Sequence, residues 1–101
     1  MIVRIALFTP DQAAEATEKA WVEDLLFPAL QAIPGYAGTY LGIDPQSGQG
    51  VSISFWETEA AALAGEQAVA RLAQRRSTGI LPRPMQVVKY QVVHQDTRHS
   101  S

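Results

Sequence analysis

The chain has 101 residues, 47% of them hydrophobic and 18% charged, the composition of one globular domain and not of a disordered segment. A net charge of −2 gives no electrostatic ground for binding nucleic acid or an anionic membrane, and no apolar run approaches the ~20 residues of a membrane span. The absence of cysteine excludes disulfides and thiol chemistry and fits a reducing compartment; with no signal peptide read at the amino end, a cytoplasmic location is expected.

Ile2 to Phe8 is an apolar run interrupted only by Arg4, and its β-branched content predicts a strand buried on both faces. Thr9-Pro10-Asp11-Gln12 reads as a helix start, with Thr9 as N-cap, Pro10 at the first helical position and Gln12 at the capping-box position. Ala14, Thr17, Trp21 and Leu25, with Val22 and Leu26 on the next ridge, recur at spacings of three and four. They predict one helix running to about Phe27, where Pro28 kinks or ends it, and a further turn over Ala29 to Ala32.

Ile33 to Glu57 reads as a β-hairpin. Pro34-Gly35 closes the preceding helix. Tyr36 to Ile43 then alternates, placing Tyr36, Gly38, Tyr40 and Gly42 on one face and Ala37, Thr39, Leu41 and Ile43 on the other. The glycines in this strand are expected to mark bulges or to lie under rings. Asp44 to Gly50 is a run of turn formers, and Val51 to Trp56 alternates again, with Val51, Ile53 and Phe55 opposite Ser52, Ser54 and Trp56.

Thr58 caps a second helix over Glu59 to Ser77, whose Arg71, Arg75 and Arg76 suit the negative end of the helix dipole. Gly79 ends it. Leu81-Pro82-Arg83-Pro84 is an extended connector. Met85 to His94 is the last strand. The single domain covers residues 1–95, and 96–101 form a polar tail.

The order strand, helix, strand, strand, helix, strand predicts an α+β, ferredoxin-like βαββαβ sandwich: a four-stranded antiparallel sheet in the order 4-1-3-2 with both helices on one face. Such a sheet should carry polar residues on its bare face. Here the first and third strands are apolar on both sides, so a homodimer formed through the sheet faces is expected.

Two stretches bring the chain close to a known family. Pro34-Gly35-Tyr36-Ala37-Gly38 enters the second strand, and Val51-Ser52-Ile53-Ser54-Phe55-Trp56-Glu57-Thr58-Glu59-Ala60-Ala61 crosses from the third strand into the second helix. In these, in length and in element order, the chain resembles the dimeric α+β barrel superfamily and, within it, the antibiotic-biosynthesis-monooxygenase-like (ABM-like) domains. The resemblance implies two subunits packed sheet to sheet as a closed barrel, each keeping a pocket between its sheet and helices. It implies chemistry of three kinds: cofactor-free oxidation of polycyclic phenols to quinones with O₂, haem degradation, or the varied roles of related barrels, among them isomerases and stress proteins. The haem-degrading branch uses a first-strand asparagine, a tryptophan on the second helix and a histidine late on that helix. Here those places hold Arg4 and Gly65, while His94 and His99 lie in or beyond the last strand. The quinone-forming branch uses asparagine, tryptophan and arginine, and this chain has no asparagine.

Arg4 is the clearest anomaly, a charge within an apolar strand at the centre of the sheet. It needs a carboxylate, backbone carbonyls or a ligand anion. It is therefore either half of a structural ion pair or the holder of a phenolate. Trp21, Tyr36, Tyr40, Trp56 and Tyr90 either line an aromatic pocket or form core. Lys89 fits charge protection of an edge strand. His94 is a candidate general base, or a partly solvated residue near a strand end. No Ser-His-Asp arrangement, glycine-rich phosphate loop or metal-ligand spacing is present. The expected function is that of a monooxygenase-like protein acting on a small phenol without metal or flavin, with Arg4 and His94 as catalytic candidates and Trp21, Tyr40, Trp56 and Tyr90 around the ring. The alternative is a non-catalytic ligand-binding or stress-response barrel.

Overall fold

The computed structural model describes residues 1–73 and 86–96. β1 (Ile2–Phe8), β2 (Tyr36–Ile43), β3 (Gly50–Trp56) and β4 (Gln86–Gln91) form one antiparallel sheet in the order β2-β3-β1-β4, as the pattern of elements predicts. β1 is an inner strand: Arg4 stands opposite Ser54 on one side and Lys89 on the other. Strand alternation sends Arg4, Ala6, Ser54 and Trp56 toward the helices, where Ala6, Ser54 and Trp56 are buried. Val3, Ile5, Leu7, Val51, Ile53 and Phe55 therefore occupy the opposite, uncovered face.

β2 departs from simple alternation. Its register with β3 shifts between Tyr36 and Gly38, so that Tyr36 stands opposite Trp56 while Gly38 stands opposite Phe55. This bulge puts Tyr36 and Tyr40 on different faces, where an unbroken strand would put them on one. The Tyr36 ring meets Trp56 edge-on at 5.2 Å between centroids, and the Tyr40 ring meets Phe55 at 6.3 Å on the uncovered side. The hairpin connection is pinned by its own backbone, with Asp44 N–H donating to Gln49 O and Gly48 N–H to Asp44 O, both at 2.8 Å.

Helical structure begins at Pro10 and continues past Pro28 as expected, but with an interruption: α1 (Pro10–Ala16) stops short, and α2 (Lys19–Trp21), a π-helical turn (Val22–Leu26) and α3 (Phe27–Gln31) then follow one another directly. Two local causes account for the division. The Thr17 hydroxyl donates back to Ala13 O at 3.0 Å, which competes with the helix ladder and bends it at the end of α1. Further on, Pro28 has no N–H to offer. The chain does not end there; Phe27 N–H reaches five residues back to Val22 O, and the wider turn carries the helix past the proline. The reciprocal capping box at Gln12 does not form: Ala13 N–H to Thr9 O closes the first turn, and Gln12 Oε1 is buried with no hydrogen-bond partner among the described residues.

α4 (Glu59–Ala73) begins as expected at Thr58, whose hydroxyl accepts the Ala61 N–H at 3.1 Å. Gly35 has φ +91°, and a Cβ there would come within 2.8 Å of the Ala61 Cβ, so this turn and α4 approach as only glycine permits. Trp21, Val22, Leu26, Leu30, Trp56, Ala61 and Ala62 make the core between the two layers. The expectations for Arg75, Arg76, Gly79, residues 81–84 and Met85, and for His99 and the rest of the tail beyond Asp96, lie outside the described residues.

Candidate functional site

Between the sheet and the helices lies a cavity of about 170 Å³. Its strand side is made by Arg4, Phe8, Leu41, Ser52, Ser54 and Trp56, and its helix side by Trp21, Leu26, Leu30, Gly65, Glu66 and Val69. The π-helical turn and α3 supply Leu26 and Leu30, four residues apart on one ridge. Most of the wall is apolar; its charge is concentrated at one place.

That place is Arg4. Its Nε donates to Glu66 Oε1 at 3.0 Å, and Lys89 Nζ reaches the same oxygen at 2.9 Å from the neighbouring strand. Burial alone would push the Glu66 carboxyl up, but the Lys89 hydrogen bond and the Arg4 charge together outweigh it and hold the group below its usual value. Two cations thus share one carboxylate, and the cluster keeps one net positive charge at the cavity wall. Lys89, expected only to protect an edge strand, is part of this pairing.

Trp56 is fixed from two directions. Its Nε1 donates to Ser54 Oγ at 3.0 Å, on the sheet beneath it. Its benzo edge lies against Gly65 on α4, so closely that any Cβ at residue 65 would overlap the ring.

Of the residues singled out in the sequence, Arg4, Trp21 and Trp56 come together around the cavity. Tyr40 and Tyr90 do not. They are 71% and 58% exposed and stand beside Ile53 and Val3 in register, on the uncovered face. His94 is also exposed, beyond β4, beside Tyr40 and Phe55 at an open depression on that side. The bulge and the strand order decide this separation. Sequence reasoning did not single out Glu66, which lies 62 residues from Arg4, because no local pattern links the two. Among the described residues no three His, Asp or Glu side chains gather as a metal site.

Comparison with solved structures places this geometry. The monooxygenase from the gene ActVA-Orf6 of Streptomyces coelicolor, solved with the ligand nanaomycin D, superposes with a TM-score of 0.65 at 15% identity over 97% of this chain and 92% of that one. The haem degrader MhuD of Mycobacterium tuberculosis, solved with two haems in its active site, gives a TM-score of 0.68 at 20% identity over 96% of this chain and all of that one. This chain shares with them the ferredoxin-like α+β fold, a four-stranded antiparallel sheet with helices on one face. At these identities the likeness is one of fold. No family model matches the chain. The uncharacterized protein Rv2558 of Mycobacterium tuberculosis is 43% identical over 56 residues, which is 55% of this chain, and the match spans about a quarter (24%) of that relative's length.

Proposed function

We propose that this chain is a monooxygenase-like protein that binds a small phenol in the cavity beside Arg4 and lets it react with O₂ without metal or flavin. The observation that carries the reading is an apolar cavity of about 170 Å³ with one charged cluster in its wall. An apolar cavity of about 150 Å³ holds a benzene ring, so the volume suits one ring and falls well short of a haem. The ion pair with Glu66 uses Arg4 Nε, and among the described residues the outer guanidinium N–H groups remain as donors for an oxyanion. With the cluster's net charge, they favour the phenolate over the phenol. Trp21 and Trp56 hold the ring. An electron-rich phenolate carries carbanion character on its ring carbon and is itself the reductant. Carbon–oxygen bond formation with O₂ and loss of water then leave a quinone, one oxygen atom going to the product and the other to water.

A second reading has its own support. Glu66, the carboxylate in the lining, is already engaged by two cations and is a poor base, which favours a barrel that binds its ligand without turning it over. Oxygen uptake separates the two. With a panel of single-ring phenols, the wild type is expected to consume O₂, and Arg4→Ala to lose that activity by about a hundredfold. Phenol binding without oxygen uptake selects the second reading.

The uncovered sheet face supports assembly as a homodimer through that face. Val3, Ile5, Leu7, Ile53 and Phe55 form a continuous apolar surface there, while the serines of β3 face the helices, the reverse of a sheet that meets water on its open side.

A further inference from the structure

We infer that Trp56 is the specificity-determining wall of the cavity, limiting it to one aromatic ring; the inference rests on the aromatic-binding reading above but not on turnover. The indole spans the gap between the layers. Its Nε1 is tied to Ser54 on the sheet, and its benzo edge abuts the α4 backbone at Gly65, where no side chain intervenes. On one flank lies the cavity, which Trp56 and Gly65 both line. Tyr36 meets the indole edge-on at 5.2 Å, and the neighbouring turn at Gly35 leaves no room for a side chain between itself and Ala61. A ring so held, 3% exposed and bonded at its one polar atom, does not swing aside for a longer ligand. A second fused ring therefore meets a fixed surface and not a movable side chain. Gly65 is the other half of the device: it gives the indole room to stand upright, and a methyl group there would drive it toward the cavity.

The test is equilibrium binding of phenol and 2-naphthol, followed by ligand-observed NMR, with oxygen uptake recorded separately. The wild type should bind phenol about tenfold or more tightly than 2-naphthol. Trp56→Phe, which keeps an aromatic core but shortens the wall, should reduce that preference at least about fivefold, chiefly by admitting 2-naphthol. Gly65→Ala should weaken phenol itself. Circular dichroism of each variant reports whether it folds; should Trp56→Phe not fold, Gly65→Ala and the wild-type preference carry the test. Equal binding of the two probes by the wild type overturns the inference, as does an unchanged preference in folded Trp56→Phe. Failure of the wild type to bind either probe removes the site and its wall together. Discriminating binding without oxygen uptake leaves the wall standing and removes only the monooxygenase reading.

Discussion

Two cations on one carboxylate oxygen is an unusual way to settle a half-buried charge, and it has a consequence for stability. The folded Glu66 carboxyl lies below its ordinary value of 4.5 because Lys89 and Arg4 outweigh the burial that opposes them. Between the folded and unfolded values the unfolded chain binds more protons. The stabilisation is therefore fully present above about pH 4.5 and is lost as the pH falls through the lower folded value. The side chains are partly solvated, so the effect is of the order of 1 kcal/mol or less. Urea unfolding should show wild-type stability falling more steeply than that of Glu66→Gln between about pH 6 and about pH 3. Parallel losses in the two proteins would place the titration elsewhere. Asp44 shifts the same way, because the Gln46 N–H at 2.9 Å and then Ser47 bond its carboxylate, but it is fully exposed.

At the scale of elements, the strands and the helix start at Pro10 were legible, but the break after Ala16 and the π-helical turn were not. Period-two alternation from Tyr36 to Ile43 and from Val51 to Trp56, with turn formers between, fixes a hairpin whatever surrounds it. The order of elements along the chain then predicts the strand order that the structure shows. The division of the first helix depends instead on where the Thr17 hydroxyl turns and on how Phe27 N–H bypasses Pro28, choices made by tertiary packing. The same limit separated the site residues. Arg4 announced itself as a charge in an apolar strand, and Trp21 and Trp56 were among five large rings read as pocket or core. Tyr40 was lost to the uncovered face by a bulge that alternation alone does not reveal. Gly35 offers a test of how the hairpin is joined to α4. Gly35→Ala combines a left-handed φ of +91° with an approach of 2.8 Å to Ala61 Cβ. It should lower stability by roughly 1–3 kcal/mol in thermal or urea unfolding. A change within experimental error would mean that the turn relaxes freely and does not set the distance between hairpin and helix.

For the molecule as a whole, the two faces of the sheet have opposite tasks. The helix-covered face carries serines, a charged cluster and a cavity, whereas the uncovered face is almost wholly apolar. The second arrangement makes sense as a surface between copies of the chain. Light scattering at micromolar concentration should give twice the mass of one chain, and Phe55→Glu should give a folded monomer. A wild-type monomer would remove the proposed interface. The cavity lies on the other side of the sheet, and its contents can be tested without settling the assembly. The most direct measurement is incorporation of isotopically labelled oxygen during incubation with single-ring phenols. One labelled atom is expected in the quinone and the other in water, with the yield lost in Arg4→Ala. Phenol bound at the cavity with no label in any product, or label incorporated equally by wild type and Arg4→Ala, would contradict the monooxygenase reading.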